Sequence, residues 1–277
     1  MITVNVKGSV NASQEAVVST NVNAANAIDL WLAYYQDWNG DSTQGRLQAL
    51  LSDDEKRQRE RFYFADDRLR YGVTRAMVRT VLARYAPVAP VDWRFVANAY
   101  GRPAIAPQHG AACELNFNVS HTRGLIALGI TRLGMLGVDV ESLHRAAAPG
   151  LAERMFSARE SADLRRTPLQ ERDFRFYEYW TFKESYIKAR GMGLSLPLDK
   201  FSFSFPDAGA VKLDIDAELA DVPDRWRLWQ FQPTADYLLA VCAESQGDRP
   251  QSVSLRKLTP LDDDEELTLA PRRRTGP

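Results

Sequence analysis

Apolar positions along the chain alternate with a period of two in some stretches and recur about every four residues in others, and this change of period separates strands from helices. Ile28–Tyr35 alternates loosely and is aromatic, which predicts a strand. Ser52 followed three residues later by Glu55 is a capping-box pattern and predicts a helix running toward Arg61. A longer helix is expected over 66–85, where Leu69, Val73, Met77 and Val81 share one face. Pro87 and Pro90 stop it. Val91–Val96, Asn116–Val119 and Leu125–Ile130 read as strands, the last two joined by a His-Thr-Arg-Gly turn. Gly137–Glu141 is a further short strand.

The second half replays the first. A helix over 173–189 is followed by Gly191 and Gly193, which suit a C-cap, and then by Pro197. Strands follow at Phe201–Phe205, Arg225–Phe231 and Tyr237–Ala243. The expected fold is therefore α+β, with two similar halves, 27–141 and 142–258, related by a pseudo-twofold axis. A ligand cleft would lie between them. Chance likeness between hairpins is the alternative. Residues 1–26, rich in Asn, Ser and Val, are expected to be a flexible arm. Residues 259–277, with an acidic run and then Arg272–Arg274, are expected to be a disordered tail.

Composition narrows the class. The 277 residues are 45% hydrophobic and 26% charged, which suits a folded core and excludes wholesale disorder. Lys plus Arg number 35 against 36 Asp plus Glu, a balance that speaks against a surface given over to nucleic acid or anionic membrane. Two cysteines and three histidines leave no disulfide framework, no ordinary zinc site and no His-rich metal centre. No apolar stretch is long enough to span a bilayer and no secretory leader is apparent, so a cytoplasmic location is expected.

Three clusters carry candidate chemistry. In Gly137-Val-Asp-Val-Glu141, residues two apart on a strand face the same way, so Asp139 and Glu141 project together while Val138 and Val140 turn to the core. Such a pair is either two solvated acids or, with hard oxygen donors, a Mg²⁺ or Mn²⁺ site. Trp180, Glu184 and Lys188 share a helical face, as a surface ion pair or as part of a site. From Lys56 to Arg79 eight basic residues (Lys56, Arg57, Arg59, Arg61, Arg68, Arg70, Arg75 and Arg79) stand against three acids, with Arg68, Arg75 and Arg79 forming one stripe. A one-sided stripe favours a multiply phosphorylated ligand; single-stranded nucleic acid is the alternative. Ser120 and His121 do not form a nucleophilic pair, because neighbours on a strand face opposite ways and no Gly-x-Ser-x-Gly elbow is present. They read instead as hydrogen-bond donors to an anion. No Walker A loop or dinucleotide-binding glycine motif occurs.

Taken in order, Tyr100-Gly-Arg-Pro103, Phe117-Asn-Val-Ser-His121, Gly137-Val-Asp-Val-Glu141, Phe156-Ser-Ala-Arg-Glu160 and Trp180-Thr-Phe-Lys-Glu-Ser-Tyr-Ile-Lys188 resemble the motifs of the surfactin-type (Sfp-like) 4′-phosphopantetheinyl transferases. Gly193–Asp199 extends the likeness, which covers residues 28–257. The resemblance implies two α+β halves with coenzyme A in the cleft. It also implies transfer of the 4′-phosphopantetheine arm to a serine of an acyl, peptidyl or aryl carrier protein, with release of adenosine 3′,5′-bisphosphate. Asp139, Glu141 and Glu184 would hold Mg²⁺, and Lys188 would meet the pyrophosphate. Glu184 is the candidate base, although one carboxylate serving as ligand and base leaves that role open. Arg102, Ser120, His121 and Lys183 are expected on the nucleotide, with Lys56, Arg61 and Arg70 as candidates for its 3′-phosphate. Leu143–Phe156, apolar and flanked by Arg145, Arg154 and Arg159, is either a carrier-docking loop or a plain connection. Partners are thus coenzyme A and carrier domains, without nucleic acid or membrane, and the chain is expected to act as a monomer. A non-catalytic coenzyme A-binding relative would be expected to lack a carboxylate; a nucleic-acid binder would leave all three without a use.

Overall fold

The computed structural model describes residues 27–276 except 149, 250, 261 and 262. The arm expected at 1–26 lies outside the described residues. The first half runs β1 (Ala27–Tyr34), α1 (Asp41–Leu50), α2 (Asp53–Glu60), α3 (Ala65–Leu82), β2 (Phe95–Ala97), β3 (Pro103–Ile105), β4 (Asn116–Thr122) and β5 (Leu125–Thr131). The second runs β6 (Leu136–Ser142), α4 (Leu151–Met155), α5 (Ala158–Arg166), α6 (Arg172–Arg190), β7 (Phe201–Ser204), β8 (Lys212–Ile215), β9 (Trp226–Thr234) and β10 (Tyr237–Glu244). Each half is a strand, three helices, a short ribbon and a hairpin. In each, the second hairpin strand lies antiparallel to the half's first strand, β5 on β1 and β10 on β6. The two similar α+β halves are present.

Local chemistry explains the helices. Ser52 Oγ accepts from the Glu55 amide and Glu55 Oε2 from the Ser52 amide, which starts α2 as expected. On α3, Leu69, Val73, Met77 and Val81 are buried against Trp31, Trp38 and Trp93. The long aromatic helix α6 buries Phe176, Tyr179, Phe182 and Tyr186 in the second core and ends on Gly191, whose φ of 66° suits a residue without Cβ. Of the strand expected at Val91–Val96, only β2 forms, because Pro90 starts a short 3₁₀ turn instead.

Two boundaries differ from expectation. β6, placed by sequence in the first half, joins the sheet of β9, β10 and β13 (Arg273–Arg274), ordered β13-β9-β10-β6. β11 (Ser252–Leu258), placed in the second, pairs in parallel with β1 and, with β12 (Asp264–Leu267), completes the sheet β12-β11-β1-β5-β4. β6 therefore opens the second half instead of closing the first, and the first sheet takes β11 from beyond its own half. The tail is not a disordered segment over its described residues: β12 pairs with β11, and β13 with β9. Its acids sit opposite the basic positions Arg256 and Lys257, so cross-strand charge pairing orders what composition alone reads as solvated.

The halves meet along β4 and β6. Asn118 Oδ1, Ser120 Oγ and Thr122 Oγ1 accept from the amides of Val138 (2.8 Å), Val140 (3.3 Å) and Ser142 (3.3 Å). Polar side chains at period two on one strand thus act as rungs for the free edge of the other.

Candidate active site

The cleft between the halves has a volume of about 720 Å³, within the range of small-molecule sites. Its floor is the end of β4 and β6, one wall is α3, and the other is α6. Gly137 sets the distance between floor and second wall. A Cβ there would stand 1.9 Å from the Ser185 carbonyl oxygen and 2.4 Å from the Ala189 nitrogen. Only glycine lets α6 lie this close to β6.

That approach brings the two acidic motifs together. Lys188 Nζ donates to Asp139 Oδ1 at 2.7 Å and to Ser120 Oγ at 2.8 Å, and Ser120 Oγ donates to the same carboxylate oxygen at 3.0 Å. Trp180 Nε1 donates to Glu141 Oε1 at 3.0 Å. Lys188 therefore reaches across the cleft to β6, which a surface ion pair along the helix would not do. Asp139 is 3% exposed, and its Oδ2 is buried without a hydrogen-bond partner. Burial, and then the charge of Asp139, push Glu141 up to about 7. The same causes push Glu184 up to about 7. Lys188 draws both down but does not offset the desolvation.

An unpartnered Asp139 oxygen beside two carboxylates held near neutrality is an arrangement short of positive charge. Its donors are hard oxygens, which fit Mg²⁺. As they stand, no three His, Cys, Asp or Glu side chains among the described residues are arranged to hold a metal ion. Asp139 Oδ2 has no protein partner, and Glu141 and Glu184 would have to turn toward it.

The α3 wall is polar. Asp67, Arg70, Tyr71, Thr74 and Arg75 face the cleft at the spacings of a single helical stripe, opposite the buried apolar face. Arg70 pairs with Asp67 at 2.6 Å; Arg75 lies over the Tyr71 ring, 5.2 Å from its centre. His121 also lines the cleft. Desolvation, then the positive charge of Arg70, lower its pKa below the usual histidine value, with Lys188 adding to the effect, so its imidazole is neutral at neutral pH.

The structure thus gathers Asp139, Glu141, Glu184, Lys188, Ser120, His121 and Arg70. Ser120 is engaged by protein groups on every side rather than presented freely to an anion. Four expected ligands stand elsewhere. Lys183 is fully buried, 2.9 Å from Glu160 Oε2, and donates to the carbonyls of Leu198 and Phe201. Burial lowers its pKa, and Glu160 opposes that shift. It faces the core because position 183 is turned about 100° around α6 from Glu184. Arg102 donates to the Ala189 carbonyl at 2.8 Å and the Leu136 carbonyl at 3.0 Å, capping α6 instead of facing a nucleotide. Lys56 pairs with Asp53 on α2, and Arg61 lines a separate shallow hollow. The stripe of Arg68, Arg75 and Arg79 also dissolves. Arg68 donates to the carbonyls of Phe62 and Tyr63, and Arg79 is buried against Glu55 and the carbonyls of Pro90 and Trp93.

Sequence reading missed Tyr71 and Thr74 and left Arg75 off its ligand shortlist. The usable signal was the polar spacing 67-70-71-74-75, visible once the apolar face of α3 is drawn. The segment Leu143–Phe156 turns Leu143, Ala147, Leu151, Ala152 and Met155 onto the second core. Arg145, Arg154 and Arg159 remain exposed.

Comparison with known proteins gives two family models in tandem. One, described as 4′-phosphopantetheinyl transferase, N-terminal, matches residues 36–130. The other, described as the 4′-phosphopantetheinyl transferase superfamily, matches residues 135–242. They meet between β5 and β6, where the chain leaves one sheet for the other. The 4′-phosphopantetheinyl transferase ffp of Bacillus subtilis is 33% identical over 210 residues, 76% of this chain and 89% of that protein. The 4′-phosphopantetheinyl transferase Sfp of Bacillus subtilis strain 168 is 30% identical over the same shares of each chain. HetI of Nostoc, another 4′-phosphopantetheinyl transferase, is 30% identical over 74% of this chain and 83% of its own length.

Proposed function

The chain belongs to the 4′-phosphopantetheinyl transferase superfamily, and from that premise we propose that it moves the 4′-phosphopantetheine group of coenzyme A onto a serine of an acyl, peptidyl or aryl carrier protein, releasing adenosine 3′,5′-bisphosphate. The observation that carries this reading is the meeting of Asp139, Glu141, Glu184 and Lys188 in one cleft between the halves. Asp139, Glu141 and Glu184 would hold Mg²⁺, which when bound supplies positive charge to the pyrophosphate and the transferred phosphoryl group.

The protein's own groups do the rest. Lys188 stands where a pyrophosphate oxygen would enter and offers it a point charge already oriented by Asp139 and Ser120. Arg70 and Arg75 face the same space from α3 and suit the phosphates of the leaving bisphosphate. Glu184 is the carboxylate we propose to draw the serine proton, itself or through a water molecule, its pKa being raised by burial. Arg145, Arg154 and Arg159 suit an acidic carrier helix by charge, since the apolar residues of their segment face inward. Both walls of the cleft come from one chain, which fits action as a monomer. No described helix is long and apolar enough to cross a membrane, and we place the reaction in the cytoplasm.

The test is mass spectrometry of apo carrier proteins incubated with coenzyme A and Mg²⁺. Transfer adds about 340 Da, the size of the phosphopantetheine group. The gain should vanish without either component and with Glu184→Gln. Coenzyme A binding without transfer to any of several carriers would refute the proposal, as would full activity of Glu184→Gln for the metal and proton roles.

A further inference from the structure

We propose that residues 263–276 are a strap that holds α6 in its working position, with Arg273 as the positioning residue; the catalytic part of this inference rests on the transferase reading above. The matched family segments end at residue 242, so the strap lies beyond them. Its path is informative. β12 pairs with the outer strand of the first sheet, and within a few residues β13 pairs with the edge strand of the second. One short segment thus ties together the two sheets whose edge strands, β4 and β6, floor the cleft.

The anchor is Arg273, which is 7% exposed. Its Nε donates to Glu178 Oε1 at 2.9 Å, and its Nη1 donates to the carbonyls of Asp207 at 2.8 Å and Ala208 at 3.2 Å. The guanidinium carbon lies 4.1 Å from the centre of the Phe205 ring. A guanidinium held on several sides in this way has little freedom, unlike a surface arginine. Backbone bonds fix the segment on either side, from the Arg272 amide to the Gln230 carbonyl and from the Thr275 amide to the Leu228 carbonyl.

Glu178 makes the strap matter to the site. It is 2% exposed and lies on α6 two residues before Trp180. Arg175 Nη1 at 3.4 Å and Arg272 Nη2 at 3.9 Å are further from its carboxylate than Arg273. Gln230, paired in the sheet with Arg273, donates its side-chain amide to the Glu178 carbonyl at 3.1 Å and to Thr181 Oγ1 at 3.0 Å. The C-terminal end of α6 is held by Gly137 and Arg102. Its N-terminal half is held by the strap, and Trp180, bonded to Glu141, lies between the two holds.

Arg273→Met should lower kcat for carrier modification about tenfold, since loosening a catalytic helix by a fraction of an ångström costs less than the hundredfold of a full one. KM for coenzyme A should change little, because Arg70, Arg75 and Lys188 are untouched. Arg273→Lys keeps the charge and should recover part of the rate. Arg273→Met leaves Glu178 short of a counter-charge and will also lose thermal stability, so Arg273→Met with Glu178→Gln provides the control. That pair should regain stability without regaining kcat. Recovery of kcat together with stability, or a kcat within twofold of wild type in Arg273→Met, would overturn the proposal. A second measurement needs no substrate: amide hydrogen exchange over 176–184 should quicken in Arg273→Met in protein without coenzyme A. Unchanged exchange there would sink the strap, whereas a wild-type protein that modifies no carrier would sink the transferase reading alone.

Discussion

Gly137→Ala tests the link between one missing methyl group and the assembly of the site. The added Cβ would lie 1.9 Å from the Ser185 carbonyl oxygen and 2.4 Å from the Ala189 nitrogen, both backbone atoms that cannot rotate aside. A carbon–oxygen contact needs ~3.3 Å, so α6 must retreat from β6 by ~1.4 Å. Lys188 would then stand well beyond hydrogen-bond distance of Asp139, from its present 2.7 Å. Overpacking of this kind costs ~1–3 kcal/mol, and rigid backbone on both sides argues for the upper end. For a chain of this size that lowers Tm by about 2–12 °C. The rate effect should be larger, because a displacement of about 1 Å costs on the order of a hundredfold in a positioned site. The assay is the rate of carrier modification, measured well below the variant's own Tm, with calorimetry on the same samples. A variant that keeps both Tm and rate would mean that the close approach of α6 to β6 does not set the site.

Three further outcomes follow from the same geometry. Lys183→Met strands the buried Glu160 carboxylate and should cost ~3–5 kcal/mol of stability while leaving the Kd for coenzyme A unchanged; a weakened Kd with normal Tm would return Lys183 to the ligand site. Arg75→Ala should raise KM for coenzyme A about tenfold or more, from loss of a charged hydrogen bond worth ~1.5–3 kcal/mol, whereas Lys56→Ala and Arg61→Ala should stay within about twofold; equal effects would contradict the assignment of the α3 wall. Glu141 and Glu184 are raised from 4.5 to about 7, so the folded protein binds protons more tightly than the unfolded chain across that window, and their contribution to stability falls as pH rises through it. Calorimetry in metal-free buffer should show this fall between about pH 4.5 and 7, a smaller one in Glu184→Gln, and recovery on adding Mg²⁺ at the upper end; an identical slope in the variant would refute the burial argument.

The local patterns were legible because they depend on near neighbours. The capping box at Ser52 and Glu55, the apolar face of α3 and the i, i+2 projection of Asp139 and Glu141 each follow from backbone periodicity alone. So does the single face of Trp180, Glu184 and Lys188. The resemblance of five ordered motifs then identified which acids belong together. The errors have a common cause as well. Lys183, Arg102 and Arg79 are polar residues whose partners are carbonyls or carboxylates well separated along the chain, and nothing in a sequence window distinguishes such a partner from a ligand phosphate. Composition misread the tail for the same reason: its acids look solvated until Arg256 and Lys257 stand opposite them, and Arg273 looks like surface charge until Glu178 is found beside it.

By itself the sequence determined the kinds of element, the repeat of one half in the other and the carboxylates that offer hard oxygen donors, since these need only backbone period and side-chain chemistry. The tertiary structure decided which sheet β6 and β11 join, the approach of α6 across Gly137 and the division of the arginines between the cleft and the frame. Those depend on desolvation and on contacts between distant segments. A buried charge takes the partner that the fold brings to it, and only packing settles which partner that is.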